Sequence, residues 1–438
     1  MATEHTATVT LGNGTELDVF DRYTVTLDMM RAGNPWTVSL WRSTVRQTTW
    51  PVLRREVKLF QPVTVSIDGA AQMTGRIETI DTHAAKDGGA AMVLSGRDLG
   101  GVAMSWDADP TVRLKGLPLS TALTSLFLSL GVPVFVTDAA AARIVQSGTN
   151  HASLGRSGGG RHPRTPTTVP GRHFGAVGRP HNPTRGVNRA RARHRAQPID
   201  RSHPRAGEKV WQLAEEMCRR LGFLLWIAPS DEGGIAAVVD VPDFDAPDVF
   251  AFARSEDPSR PSNILTGSEK FTAKEVPTEV NVYTGTVRGD LISNRVRHRK
   301  VNAGLLDRAI TRGFVPAPVA PLTTPPPQVR HIKSSRSRTG AASEKEAERV
   351  IAEAMAEFRR YELTVQGHGQ TVDGFDRLYA LNTMARVRDE LCTDPDGNPL
   401  DESMLIIGVT FEGSRQGGTT TKLTLAPKGS IVVIPQDP

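Results

Sequence analysis

By residue type and spacing, few segments of this 438-residue chain could do chemistry, and each has a plainer reading. Gly155-Arg156-Ser157-Gly158-Gly159 matches the string of a nucleophile elbow, yet that chemistry needs a buried strand before the serine and a helix after it, and neither pattern is present. Six of the eleven histidines, His151, His162, His173, His181, His194 and His203, crowd one segment at long, irregular intervals among cations that disfavour a metal ion. His368 stands between two glycines at a strand end with no nucleophile in its surroundings, which reads as a turn with a polar plug rather than a general base. The acids Asp373, Asp376, Asp389, Glu390, Asp394 and Asp396 could suggest paired-carboxylate glycoside hydrolysis, but no aromatic sugar platform accompanies them. Asp394-Pro395-Asp396-Gly397 is turn chemistry. The zinc-protease His-Glu-x-x-His string, the phosphate-binding loop and the dinucleotide-binding glycine pattern are all absent. The expectation is therefore no catalytic residue, no metal site and no cofactor.

Charge is unevenly placed. Asn150 to Ala206 holds twelve arginines, no lysine and one acid, so this segment carries +11 of a net +6 and the remainder is mildly acidic. Rich in Gly, Pro, Arg and His and without apolar period, it cannot bury enough surface to offset its ordering entropy. Arg189, Arg191, Arg193 and Arg195 would contact phosphates or another polyanionic partner without sequence preference, and Phe174 is the one aromatic available for base stacking. Cys218 and Cys392 are too few for a disulfide framework and read as packing thiols. No run of about 18 apolar residues predicts a membrane span, and no secretory leader is expected at Met1-Ala2-Thr3-Glu4.

The elements around these residues are mostly strands. Tyr23, Val25 and Leu27 alternate, as do Trp36, Val38 and Leu40, then Val63, Val65 and Ile67 before an Asp68-Gly69 turn, with Ile77 to Ile80 returning. Ala91 to Ser95 gives a strand expected to stop at a Gly96-Arg97-Asp98 turn, and the whole suggests a small barrel or sandwich over 1–105. Leu119 to Leu130 and Val210 to Leu221 carry helical stripes closed by Gly131 and Gly222, each followed by strands. These predict an α/β middle domain over 106–262, interrupted by the basic insert at 150–206. A Pro-rich connector lies within 301–342, and Ser343 with Glu346 predicts a capping box for the next helix. The clearest β signal is a long hairpin, Met404 to Phe411 and Thr419 to Leu425, joined through Glu412 to Gly418.

The layout resembles the baseplate hub proteins of contractile-tailed phages, the late control D or Mu-type tail hub group, also found in related injection systems. The residues that carry the resemblance are Val65-Ser66-Ile67-Asp68-Gly69 with Thr74-Gly75-Arg76-Ile77, Leu94-Ser95-Gly96-Arg97-Asp98, Gly207-Glu208-Lys209-Val210-Trp211 and Leu221-Gly222-Phe223. Asn263-Ile264, Val365-Gln366-Gly367-His368, Arg388-Asp389-Glu390 and Gly417-Gly418-Thr419-Thr420-Thr421 continue it. The resemblance excludes the basic insert, which has no counterpart, and the proline connector, whose composition is unusual.

The resemblance implies a β-rich α+β chain with two small antiparallel β-barrel domains and an α/β middle domain, three copies forming a pseudo-sixfold ring. It places strands near Val280 with those after Tyr361 in the second barrel, 263–300 and 343–438. The implied role is a symmetry adaptor between the hexameric tail tube and the trimeric central spike, with baseplate wedge proteins as further partners. The implied location is the virion, after synthesis and assembly in the host cytoplasm. Ile406, Val409, Phe411, Arg415, Thr420 and Lys422 are then candidate tube or spike contacts, and Asp68, Gly69, Gly96, Asp98, Gly367 and His368 candidate structural turns. The rival readings are a nucleic-acid-binding protein using the arginine insert and a tail-associated cell-wall hydrolase. The nucleic-acid reading predicts DNA binding that weakens steeply with salt and vanishes when 150–206 is deleted, measured by fluorescence anisotropy; salt-independent or absent binding removes it.

Overall fold

In the computed structural model, which describes residues 5–18, 20–41, 50–85, 89–114, 117–137, 140, 203–230, 234–272, 276–288, 291–301, 329–333, 340–356, 358–393 and 398–433, alternating burial begins at the first strands. Chain order gives β1 (Ala7–Leu11), β2 (Glu16–Leu17), β3 (Arg22–Asp28), β4 (Pro35–Trp41), α1 (Trp50–Glu56), β5 (Pro62–Ile67), β6 (Ala70–Ala85) and β7 (Gly89–Asp98). The middle of the chain contributes α2 (Leu99–Ser105), α3 (Leu119–Phe127), β8 (Val134–Val136), α4 (Val210–Leu221), β9 (Leu224–Pro229) and β10 (Ile235–Asp240). There follow β11 (Phe250–Arg254), β12 (Ile264–Phe271), β13 (Glu279–Arg288), β14 (Leu291–Val301), β15 (Val329–Lys333) and α5 (Gly340–Ala356). Last come β16 (Arg359–Gln366), β17 (Gly369–Val372), β18 (Phe375–Leu378), β19 (Thr383–Thr393), β20 (Pro399–Ser414) and β21 (Gly418–Pro427).

Among the described residues, 13 strands join in one sheet, ordered β12-β16-β21-β20-β3-β4-β7-β6-β5-β1-β2, with β11 and β19 attached through β20. β20 makes this possible. One edge pairs with β21 from Met404 to Ser414, while the other pairs first with β19 (Leu400 to Ile406) and then with β3 (Gly408 to Ser414). The change of partner falls on a register shift between Ile406 and Gly408, where the Ile407 carbonyl accepts from the Met29 N–H at 3.0 Å. Beyond that point the C-terminal strands curl into a ring, β11-β19-β20-β21-β16-β12. Asn263, just before β12, closes it, donating through N–H to Ala253 O at 3.0 Å and through Nδ2 to Ala251 O at 2.9 Å. Inward-facing residues from both halves, among them Val25, Trp36, Val65, Leu94, Phe252, Leu363, Val409 and Leu423, pack into one hydrophobic cluster.

The middle segment folds as the helical stripes predict. α3 runs into a 3-10 turn and stops at Gly131 (φ 66°), and α4 stops at Gly222 (φ 81°), both glycines taking the left-handed conformation that L side chains resist. β8 pairs parallel and β9 antiparallel with β10. One face of this small sheet, with Leu225, Ile227, Ala237 and Val239, packs against α3 and α4. The opposite face, with Trp226, Ala228 and Val238, lies on Leu405, Ile407 and Ala426, so β20 is covered on both sides where it changes partners.

Several expectations are corrected. β13, which contains Val280, pairs with β14 and β15 instead of the strands after Tyr361, because Val280 and Val282 bury against Ala347 and Val350 of α5. β11 and β12 take its place. α5 begins at Gly340, one turn earlier than the Ser343-Glu346 box predicts, with Ser343 fully buried. The hairpin strands β20 and β21 reach further than predicted, leaving Arg415 to Gly417 as the turn. The connector at 302–328 lies outside the described residues, as does the insert up to Ser202.

Gly96 does not end a strand. It sits within β7 between Trp36 and Ile77, where a Cβ would collide with the Arg76 carbonyl. Asp98 is likewise no turn residue but the N-cap of α2, its Oδ1 accepting from Gly101 N–H at 2.9 Å. Gly96→Ala is expected to lower stability by about 1–3 kcal/mol or more, read as a lower denaturant midpoint at unchanged slope, because the obstacle is backbone rather than a side chain that can turn aside.

Candidate functional site

The joint between the N-terminal and C-terminal strands is sealed by a polar cluster around His368. His368 follows Gly367 (φ 78°) at the end of β16 and is fully buried. Thr421 on β21 donates its hydroxyl to Gly367 O at 2.6 Å, which leaves its oxygen to accept from His368 Nδ1 at 2.9 Å. Nε2 is then the acceptor, and the Tyr23 hydroxyl on β3 donates to it at 2.7 Å. Burial, with neighbouring His5 second, pushes the His368 pKa down to about 4, so the imidazole is neutral. Burial pushes the Tyr23 hydroxyl up to about 12 and keeps it protonated, as a donor must be. Tyr23 also covers Gly413, its cross-strand partner on β20, where a Cβ would strike the ring. With both ring nitrogens engaged and the ring enclosed, His368 has no route to a substrate.

A second cluster lies inside the C-terminal ring. Arg254 (β11) forks onto Asp389 (β19) through Nε at 2.8 Å and Nη2 at 2.6 Å, and the Tyr361 hydroxyl (β16) donates to the same carboxylate. Gly267 on β12 leaves room for the pair, since a Cβ there would meet both Tyr361 and Asp389. Burial pushes Asp389 up, but the bonds from Arg254, Tyr361 and Leu391 N–H outweigh it and hold the carboxyl below the usual carboxylate range. Arg359, also buried, bonds Glu269 at 2.6 Å and Glu402 at 2.9 Å, tying β16 to β12 and β20.

The candidate contact residues divide by face. Ile406, Val409 and Phe411 point into the core, none more than 1% exposed, and cannot meet a partner while the sheet is intact. Thr420 is half-buried on the outer face, Lys422 is exposed and paired with Glu362 at 2.7 Å, and Arg415 is exposed at the β20–β21 turn. Asp68 (φ 51°) and Gly69 (φ 79°) form the β5–β6 turn, and Gly367 bends the chain after β16. Arg189, Arg191, Arg193 and Arg195 lie outside the described residues, as do the Gly155 to Gly159 string, Asp394 and Asp396.

The other carboxylates have structural duties. Asp376 accepts from Thr371 at 2.6 Å, Asp373 (φ 53°) shapes the β17–β18 turn, and Glu390 accepts from Ser255 Oγ at 2.7 Å and Glu256 N–H at 2.8 Å. Among the described residues no group of His, Cys, Asp or Glu is arranged to hold a metal ion, and no helix is long and apolar enough to cross a membrane. Sequence reasoning passed over Tyr23, Thr421, Arg254 and Gly413. The signal available for the last was a glycine in the turn region beside a strongly β-forming run.

No family model matches the chain, and no curated protein matches it by sequence. Solved structures share its fold over nearly the full length. The tail protein from Neisseria meningitidis MC58 aligns with a TM-score of 0.63 at 20% identity, covering 99% of this chain and 99% of that one. The 43 kDa tail protein of prophage MuSo2 from Shewanella oneidensis aligns with a TM-score of 0.61 at 13% identity, covering 97% and 99%. The chain thus has a β-rich fold with large antiparallel sheets, of the kind found in these tail proteins.

The Arg254–Asp389 pair supplies a test of what holds the C-terminal ring. Asp389→Ala strips the part-buried Arg254 guanidinium and the Tyr361 hydroxyl of their acceptor and is expected to cost about 1–3 kcal/mol in chemical denaturation, while Arg254→Met combined with Asp389→Leu recovers part of that loss.

Proposed function

We propose that the chain is a structural protein of a phage tail baseplate or a related injection system, acting as the hub that joins a hexameric tail tube to a trimeric central spike. The observation that carries this reading is end-to-end agreement with two tail-protein folds, at 99% and 97% of the chain. In this reading the chain works as a homotrimer, each copy contributing an N-terminal barrel over 1–105 and a C-terminal barrel built from β11, β12, β16 and β19–β21. Six barrels then face the tube and three chains face the spike, with wedge proteins at the periphery. Arg415, Thr420 and Lys422, the outward members of the hairpin, are the contacts assigned to the tube or spike. The location is the virion, after assembly in the host cytoplasm.

No enzymatic step enters this role. The hydrolase alternative relied on His368, whose imidazole is enclosed between Tyr23 and Thr421. Size-exclusion chromatography with light scattering is expected to give three times the chain mass, and added spike protein a larger complex. A monomer at every concentration, with no assembly on adding the spike, overturns the reading. Arg415→Glu with Lys422→Glu is expected to weaken tube or spike capture at least tenfold in pull-down titrations while the trimer persists.

A further inference from the structure

The cluster at the joint extends past His368. His5 stacks on the His368 ring, centroids 5.2 Å apart and planes at 29°, and its Nδ1 lies 2.5 Å from Asp68 Oδ2. The segment carrying His5 is pinned to the β5–β6 turn: Asp68 Oδ1 accepts from Thr6 N–H and Asp68 N–H donates to Thr6 O, both at 2.8 Å. His5 also lies over Gly367, where its Nε2 would come within 3.2 Å of a Cβ. The groups facing His368 are therefore Tyr23 from β3, Thr421 from β21, Phe411 from β20 with its ring edge-on at 5.1 Å, and His5. Asp68 is the acid that acts on the pair, from behind His5.

We propose that this stack is an acid-released latch, in which a proton on His368 opens the joint between β3 and the C-terminal strands while the rest of the sheet stays closed. His368 Nε2 carries the basic lone pair of the neutral ring, and it is already the acceptor for Tyr23. A proton there sets two donors against each other until the Tyr23 hydroxyl turns away, and places a cation beside the His5 ring in a site closed to water. Asp68 favours that cation, but burial and His5 outweigh it, which holds the imidazole neutral down to about 4. An exposed histidine takes its proton near 6.5, so the unfolded or opened chain binds it first. The latch thus contributes its full stability above about 6.5 and loses it as pH falls towards 4. Asp98, raised to about 6 by burial, works in the opposite direction over part of the same range and must be separated from it.

Hydrogen–deuterium exchange on the full chain tests this, with rates scaled to the intrinsic amide rate at each pH. Between neutral pH and about 4.5, protection of peptides covering β3 and β21 is expected to fall by roughly one to two orders of magnitude, ahead of β5–β6 and β9–β10. His368→Gln keeps a donor and an acceptor without titrating and is expected to remove that pH dependence. Equal loss in variant and parent, uniform loss over all strands, or constant protection of β3 and β21 overturns the latch. If His368→Gln does not fold, the order of release in the parent chain decides alone.

Discussion

The structure depends on a single strand exchanging neighbours in the space of one residue. β20 leaves β19 at Ile406 and takes β3 at Gly408, and without that step the N-terminal and C-terminal strands would form separate sheets. The local chemistry is built for it. Met404 to Val409 is buried on both faces, since inward residues meet the shared core and outward ones meet the small middle sheet at Trp226 and Val238. Gly408 lets Thr424 come close, a Cβ there lying 3.2 Å from the Thr424 Cβ. The middle layer is therefore a clamp over the point of the ladder where the register shifts and backbone bonds are re-formed with a new partner.

The buried polar clusters at the joint and inside the C-terminal ring are bonded in two different ways. His368 gives up its charge and keeps two hydrogen bonds, whereas Asp389 keeps its charge because Arg254 and Tyr361 supply donors. Arg359 sits between two glutamates. Buried ion pairs gain little net stability over well-packed apolar residues, but each of these spans strands distant in sequence, so a strand out of register would leave a charge bare.

Local features were legible in the chain and long-range ones were not. The Asp68-Gly69 turn and the helices ending at Gly131 and Gly222 follow from turn chemistry and period, which act over a few residues. Period two says which face a residue takes but not which strand lies beside it. Nothing in that period directs the Val280 strand to β14 and β15, or β3 to β20. The run Met404 to Phe411 invited an interface reading because an apolar strand looks the same whether its cover is another molecule or its own middle layer. Gly96 and Asp98 looked like a turn because glycine and aspartate favour turns, whereas here one allows a close crossing of strands and the other starts a helix.

The pairing of β3 with β20 also sets an order of events during synthesis. Thr26 and Thr410, whose hydroxyls meet across that pair, are separated by 384 positions in the chain. At about 5–20 residues per second a ribosome needs roughly 20–80 s to travel from one to the other. Once β4 to β7 have been made, and until β20 arrives, the nascent N-terminal sheet carries an open edge at β3, and the hairpin that covers it is the last part of the sheet to be delivered.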